Sequence, residues 1–177
     1  MPRPETADSP LVRFYRGTGR DARGRRLDDI LAWDDDQLEA VHDYIQWLFP
    51  LDEPSRFNRD APLLTAHDRA AFREAALAAN LRRALDRMLA FYGFAIDRRD
   101  GPGARIVRSA QWAERSPAWL QPGNHNLLRL TRMIRSLALL GQVDLATALY
   151  GALRQECEGR VSGVTIEYWK EATDAEA

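Results

Sequence analysis

Between Val41 and Pro50 the chain reads VHDYIQWLFP, placing Tyr44, Ile45, Trp47, Leu48 and Phe49 in one run that a proline ends. Burying each of these side chains contributes about 1.5–3 kcal/mol, so the pattern puts this run in the core and predicts that the other segments pack around it. Leu38, Val41, Ile45 and Leu48 recur at three- and four-residue spacing, which predicts one helix with Asp34, Asp35 and Asp36 as N-cap candidates. Leu27, Ile30, Leu31 and Trp33 predict a shorter helix before it.

Downstream, Thr65 and Asp68 form a capping-box pattern and open a helical stretch. The alanine-rich run to Ala79 and the run from Leu81 to Tyr92 fit one long helix or two, with Gly93 as the C-cap. Residues 122–141 give the strongest helical signal. Asn124 is the expected N-cap, Leu127, Leu130, Ile134 and Leu137 face inward, and Gly141 closes the helix. Arg129, Arg132 and Arg135 fall on the other face and read as a solvated face with salt bridges. Leu145, Leu149, Leu153 and Cys157 predict a further helix stopped near Gly159, and Ser162 caps a last one holding Ile166, Tyr168 and Trp169.

The remaining segments carry weaker patterns. Residues 11–17 read as a short extended arm laid on the core through Leu11, Phe14 and Tyr15, and 18–26 as an exposed basic loop. Residues 51–62 form a long loop, tied down by Leu51 and Phe57, and hence a candidate functional surface. Over 94–121 the periodicity fades, leaving a turn at 100–103, a brief strand at Ile106 and Val107, and a short helix over 109–115. The expected fold class is all-α, a single irregular orthogonal helical domain of about six or seven helices over 11–172, with tails at 1–10 and 173–177.

Composition narrows the chemistry. A formal net charge of −1 argues against generalised attraction to nucleic acid or anionic membrane. One cysteine, Cys157, excludes an internal disulfide framework and fits a reducing cytoplasm. No apolar run is long enough to cross a bilayer. Gly-x-Ser-x-Gly, Rossmann and P-loop patterns are missing, so no catalytic residue, cofactor or metal is assigned. Glu39 and His42 make one half of a Glu-x-x-His metal pattern with no second half to complete it. His42 reads instead as a buried neutral imidazole, satisfied by His125 and Asn126 at the start of a helix packed against its own. His67, in a first helical turn among polar neighbours, reads as exposed.

With those residues in view, the chain resembles the conserved region of the opioid growth factor receptor family. The matching motifs are FYR (14–16), HDYIQWLFPL (42–51), N-x-x-A-P-x-L-T (58–65), ML-x-FYG (88–93) and HN-x-LR-x-TR (125–132) followed by SL and LG, in the family's order. The resemblance implies a helical domain that binds a peptide or protein partner, Met-enkephalin in animal members, and a compact, arginine-biased bacterial relative without their long C-terminal repeats. The candidate binding surface is His42, Tyr44, Gln46, Trp47, Asn58, His125, Asn126, Arg129 and Arg132, an apolar groove where the two histidine motifs meet and the 51–62 loop passes. Two other readings stay open. An enzyme of unrecognised type requires converging ionisable groups in a cleft, and nucleic-acid binding requires one continuous basic face built from the arginines of 20–26 and of 129–135.

Overall fold

The computed structural model describes residues 7–97 and 103–174, and within them the chain forms ten helices and one two-stranded sheet. The fold is therefore mostly helical rather than all-α, and its helices outnumber the six or seven expected. The excess lies in the N-terminal half. There α1 (Pro10–Tyr15), α2 (Leu27–Leu31), α3 (Asp35–Ala40), α4 (Ile45–Leu48) and α5 (Ala66–Ala71) each span at most six residues. Elements under two turns are too short to show a period, so side-chain caps and tertiary contacts define them.

Several starts were legible as chemistry. Asp34 caps α3 reciprocally with Gln37, and Thr65 caps α5 with Asp68. The segment expected as an extended arm is instead helix α1, because Ser9 accepts from the Val12 amide and Pro10 occupies the first turn. Of the expected N-terminal tail, 1–6 lie outside the described residues, while Ser9 and Pro10 belong to this helix start. The alanine-rich stretch splits into α5 and the 18-residue α6 (Ala75–Tyr92).

After α6, β1 (Phe94–Asp97) and β2 (Arg105–Arg108) pair antiparallel, with Phe94 opposite Arg108 and Ile96 opposite Ile106. Of the expected turn at 100–103, residues 100–102 lie outside the described residues. Then come α7 (Trp112–Trp119), α8 (Asn126–Leu139), α9 (Val143–Cys157) and α10 (Gly163–Thr173). Helices α8, α9 and α10 pack on one another, while α6 lies against α1, α2, β1 and α7. One continuous core joins both groups and contains Phe14, Tyr44, Phe49, Met88, Leu130 and Trp169. No helix among the described residues is long and apolar enough to cross a membrane.

Gly93 is the joint between α6 and the hairpin. Its φ of 84° is left-handed, and a Cβ there would stand 2.9 Å from the Trp112 Cα and 3.1 Å from the Arg115 Cβ. Gly93→Ala therefore combines backbone strain with a backbone clash, and chemical denaturation should show a loss of about 2 kcal/mol.

Candidate functional site

Helix α8 supplies one wall of a cleft. Leu128, Thr131, Arg132 and Arg135 recur at three- and four-residue spacing and form a stripe beside the one that enters the core. The opposite wall is the segment 42–57, which presents Ile45, Gln46, Leu51 and Glu53. The space between is about 400 Å³. Phe57 and Leu128, one from each wall, are 86% and 63% exposed. Phe57 thus does not tie the loop down; Leu51 does. The Leu64 amide donates to the Leu51 carbonyl at 2.9 Å, and Leu51 and Leu63 form an isolated parallel bridge, which clamps the loop at both ends.

The helix expected to run unbroken through Val41 is interrupted. Helix α3 stops at Ala40, Val41 is extended, and the chain resumes as α4 only at Ile45. The break exposes the last carbonyls of α3, and Arg129 reaches across from α8 to meet them. Its Nη1 donates to the Leu38 carbonyl and its Nη2 to the Val41 carbonyl, both at 2.9 Å. Arg129 is 6% exposed, so the arginine face of α8 is not the solvated face its spacing suggests. Arg132 is half-buried and donates to the Phe49 carbonyl at 3.1 Å, while Arg135 pairs with Glu53 and Asp52. All three guanidinium groups thus brace the 38–53 segment against α8.

The break also turns His42 outward, so it is exposed rather than buried. Its Nδ1 lies 3.0 Å from the Arg129 Nη2. A guanidinium only donates, so the Nδ1 is the acceptor in this contact. His125 and Asn126 do not supply the expected hydrogen bonds to His42. The two histidine rings nevertheless meet edge to face, 5.3 Å between centroids. His125 Nε2 instead faces a Glu39 oxygen at 3.2 Å, and Asn126 Nδ2 donates to the other Glu39 oxygen at 3.0 Å. The Tyr92 hydroxyl donates to Asn126 Oδ1 at 3.2 Å. Partial burial lowers the His125 pKa below its ordinary value, Glu39 opposes the shift, and the Arg129 and His42 charges add to it. Glu39 and His42 do not share a helix face, and among the described residues no group of three or more His, Cys, Asp or Glu converges to hold a metal ion.

Of the residues picked out by sequence, the cleft brings together His42, Gln46, His125, Arg129 and Arg132. Tyr44, Trp47 and Asn126 are buried and do not line it. The Tyr44 hydroxyl donates to the Leu38 carbonyl at 3.0 Å, and Trp47 meets Phe14 edge-on at 5.3 Å. Asn58 works from the loop, donating to the Asp43 carbonyl at 3.3 Å and to Gln46 at 3.5 Å. The groove was expected to be apolar, but Leu128 and Phe57 were not assigned to its lining, although both are apolar residues where the surrounding pattern asks for polar ones.

The other chemistry-bearing groups are committed elsewhere. Burial pushes the Cys157 thiol up to about 12, which makes it a poor nucleophile. In the basic loop, Asp21 accepts from the Arg23 and Arg25 amides and pairs with the Arg25 side chain. Both arginines also pair with Asp43. Burial alone would raise the Asp43 pKa, but these two guanidiniums outweigh it and hold the pKa below the usual carboxylate value. His67 is exposed, as its polar surroundings predict.

The chain matches the family described as the opioid growth factor receptor (OGFr) conserved region over residues 5–170. It is 40% identical over 139 residues to the opioid growth factor receptor of Homo sapiens, covering 76% of this chain and 20% of that protein. It is 43% identical over 122 residues to the Rattus norvegicus receptor, covering 67% and 20%. It is 38% identical over 149 residues to the opioid growth factor receptor-like protein 1 of Mus musculus, covering 80% and 31%. The chain therefore spans between a fifth and a third of the length of these relatives. No solved structure matches it significantly. The family match over residues 5–170 spans all the residues that build the cleft, and the chain belongs to the opioid growth factor receptor conserved-region family.

Proposed function

We propose that the domain is a binding module that receives a peptide or a peptide-like segment of a protein partner in the cleft between α8 and residues 42–57. The observation that carries this reading is the pairing of Phe57 and Leu128, two exposed apolar side chains facing a cleft of about 400 Å³. A cleft of this size with apolar walls and a few placed polar groups suits a short apolar segment. The relatives named as receptors support a binding role, and the arginines available for a nucleic-acid surface are largely engaged with acids and carbonyls of the same chain.

Titration of 15N-labelled protein with short apolar peptides, Met-enkephalin among them, tests the proposal. Shifts should concentrate on Ile45, Leu51, Leu128 and Thr131. Leu128→Asp should leave unfolding stability within about 0.5 kcal/mol of wild type, because the side chain is exposed. The same variant should weaken binding at least about ten-fold, since it puts a charge into an apolar contact. Peptide shifts that fall elsewhere, or that survive Leu128→Asp unchanged, overturn the reading.

A further inference from the structure

The charge lining the cleft is lopsided. Arg129, Arg132 and Arg135 face it, with Glu53 as the only carboxylate among its lining residues. These guanidiniums are not equally committed. Both Nη groups of Arg129 are spent on the Leu38 and Val41 carbonyls and on His42. Arg135 holds Glu53 at 2.9 Å and Asp52 at 3.3 Å. Arg132 bonds the Phe49 carbonyl through Nη1 and has no carboxylate partner among the described residues. Arg132 lines the cleft together with Ile45, Leu51 and Leu128, whose apolar walls strengthen any charge pairing there.

Building on the cleft as the peptide site, we propose that it reads the free C-terminus of an apolar peptide, with Arg132 receiving the terminal carboxylate and Ile45, Leu51 and Leu128 receiving the last side chain. A guanidinium presents a planar fork that matches one carboxylate. The terminal carboxylate and the last side chain leave the same Cα, so a short cleft engages both at once. A phosphate chain would need several uncommitted cations in a row, and the neighbours of Arg132 are already paired. The state of Arg132 fits this assignment. Burial pulls its pKa down to about 10, nearby Glu53 opposing the shift and Arg135 adding to it, so its charge is poorly compensated until an anion arrives.

The test uses two fragments that differ only at the group in question, N-acetyl-leucine and N-acetyl-leucinamide. Each is titrated into the 15N-labelled full chain while the Arg132 side-chain Nε–H and the amides of Leu128 and Thr131 are followed. The free acid should bind about ten-fold or more tightly than the amide, because it alone makes a charge-assisted pair. Arg132→Gln should bring the acid down to the affinity of the amide. The comparison of acid with amide on the wild-type chain stands even if that variant folds poorly. Equal binding of both fragments in the cleft overturns carboxylate reading and leaves the binding module standing. An acid preference that survives Arg132→Gln, in a variant whose spectrum is otherwise intact, overturns the role of Arg132. Fragments that leave the cleft resonances unmoved overturn the inference and count against the cleft as the binding site.

Discussion

Arg129→Ala should destabilise the domain by about 3 kcal/mol, because it strips charged donors from two carbonyls at the break between α3 and α4. The Leu38 carbonyl keeps the Tyr44 hydroxyl as a second donor, so the deficit falls mainly on Val41. His42 loses the donor to its Nδ1 as well. For a chain of this size the loss corresponds to a fall in Tm of roughly 6–12 °C. Arg129→Lys should recover about half of it, since one ammonium cannot span the two carbonyls as a fork does. Urea unfolding of the three proteins checks the order. A loss under about 1 kcal/mol for the alanine variant would mean that the broken helix is held by packing alone. Chemical shift changes should centre on 38–46, the segment that forms the far wall of the cleft, so binding should weaken along with stability.

What was legible in the sequence, and what was not, follows from how far each signal reaches along the chain. Helix α8 could be read directly because Leu127, Leu130, Ile134 and Leu137 repeat over several turns, and the caps at Asp34, Thr65 and Ser162 because each acts within three residues. The meeting of His42 and His125 was also anticipated, from the need of a buried imidazole for hydrogen-bond partners, although His42 is exposed and the two rings meet edge to face instead. The break at Val41 was invisible. Its spacing continues the helical pattern, and the arginine that compensates for the broken turn lies 88 residues further on. The same distance hid the burial of Arg129, since a guanidinium every third or fourth residue looks identical whether it faces water or carbonyls. An apolar groove was expected at the cleft, but Leu128 and Phe57 were not assigned to it for a related reason. Leu128 sits on a mainly polar stripe of α8 and Phe57 in a loop, and the two acquire meaning as apolar lining only across a tertiary gap.

Trp119→Ala is expected to cost about 3–5 kcal/mol, the range for deleting a fully buried indole. Trp119 is packed against Tyr92, Phe94 and Trp112 at centroid distances of 5.3, 6.2 and 6.0 Å, and its Nε1 donates to the Tyr92 carbonyl at 3.0 Å. That carbonyl belongs to the last residue of α6, which has no continuing helix to donate to it. Trp119→Phe keeps most of the packing but removes the donor, so it should cost about 1–2 kcal/mol. Near-equality of the two losses would show that the hydrogen bond, not the ring volume, dominates. The location of the damage separates this variant from Arg129→Ala. Amide exchange should quicken first in β1 and β2, which the cluster fastens to α6, and at the Ser109 amide that donates to the Gly93 carbonyl. Tyr92 joins the two regions, since its carbonyl holds Trp119 while its hydroxyl holds Asn126, the partner of Glu39. Some disturbance should therefore reach His125 through Glu39. Its extent, read as the change in the His125 ring resonances, measures how rigidly the hairpin end of the domain supports the floor of the cleft.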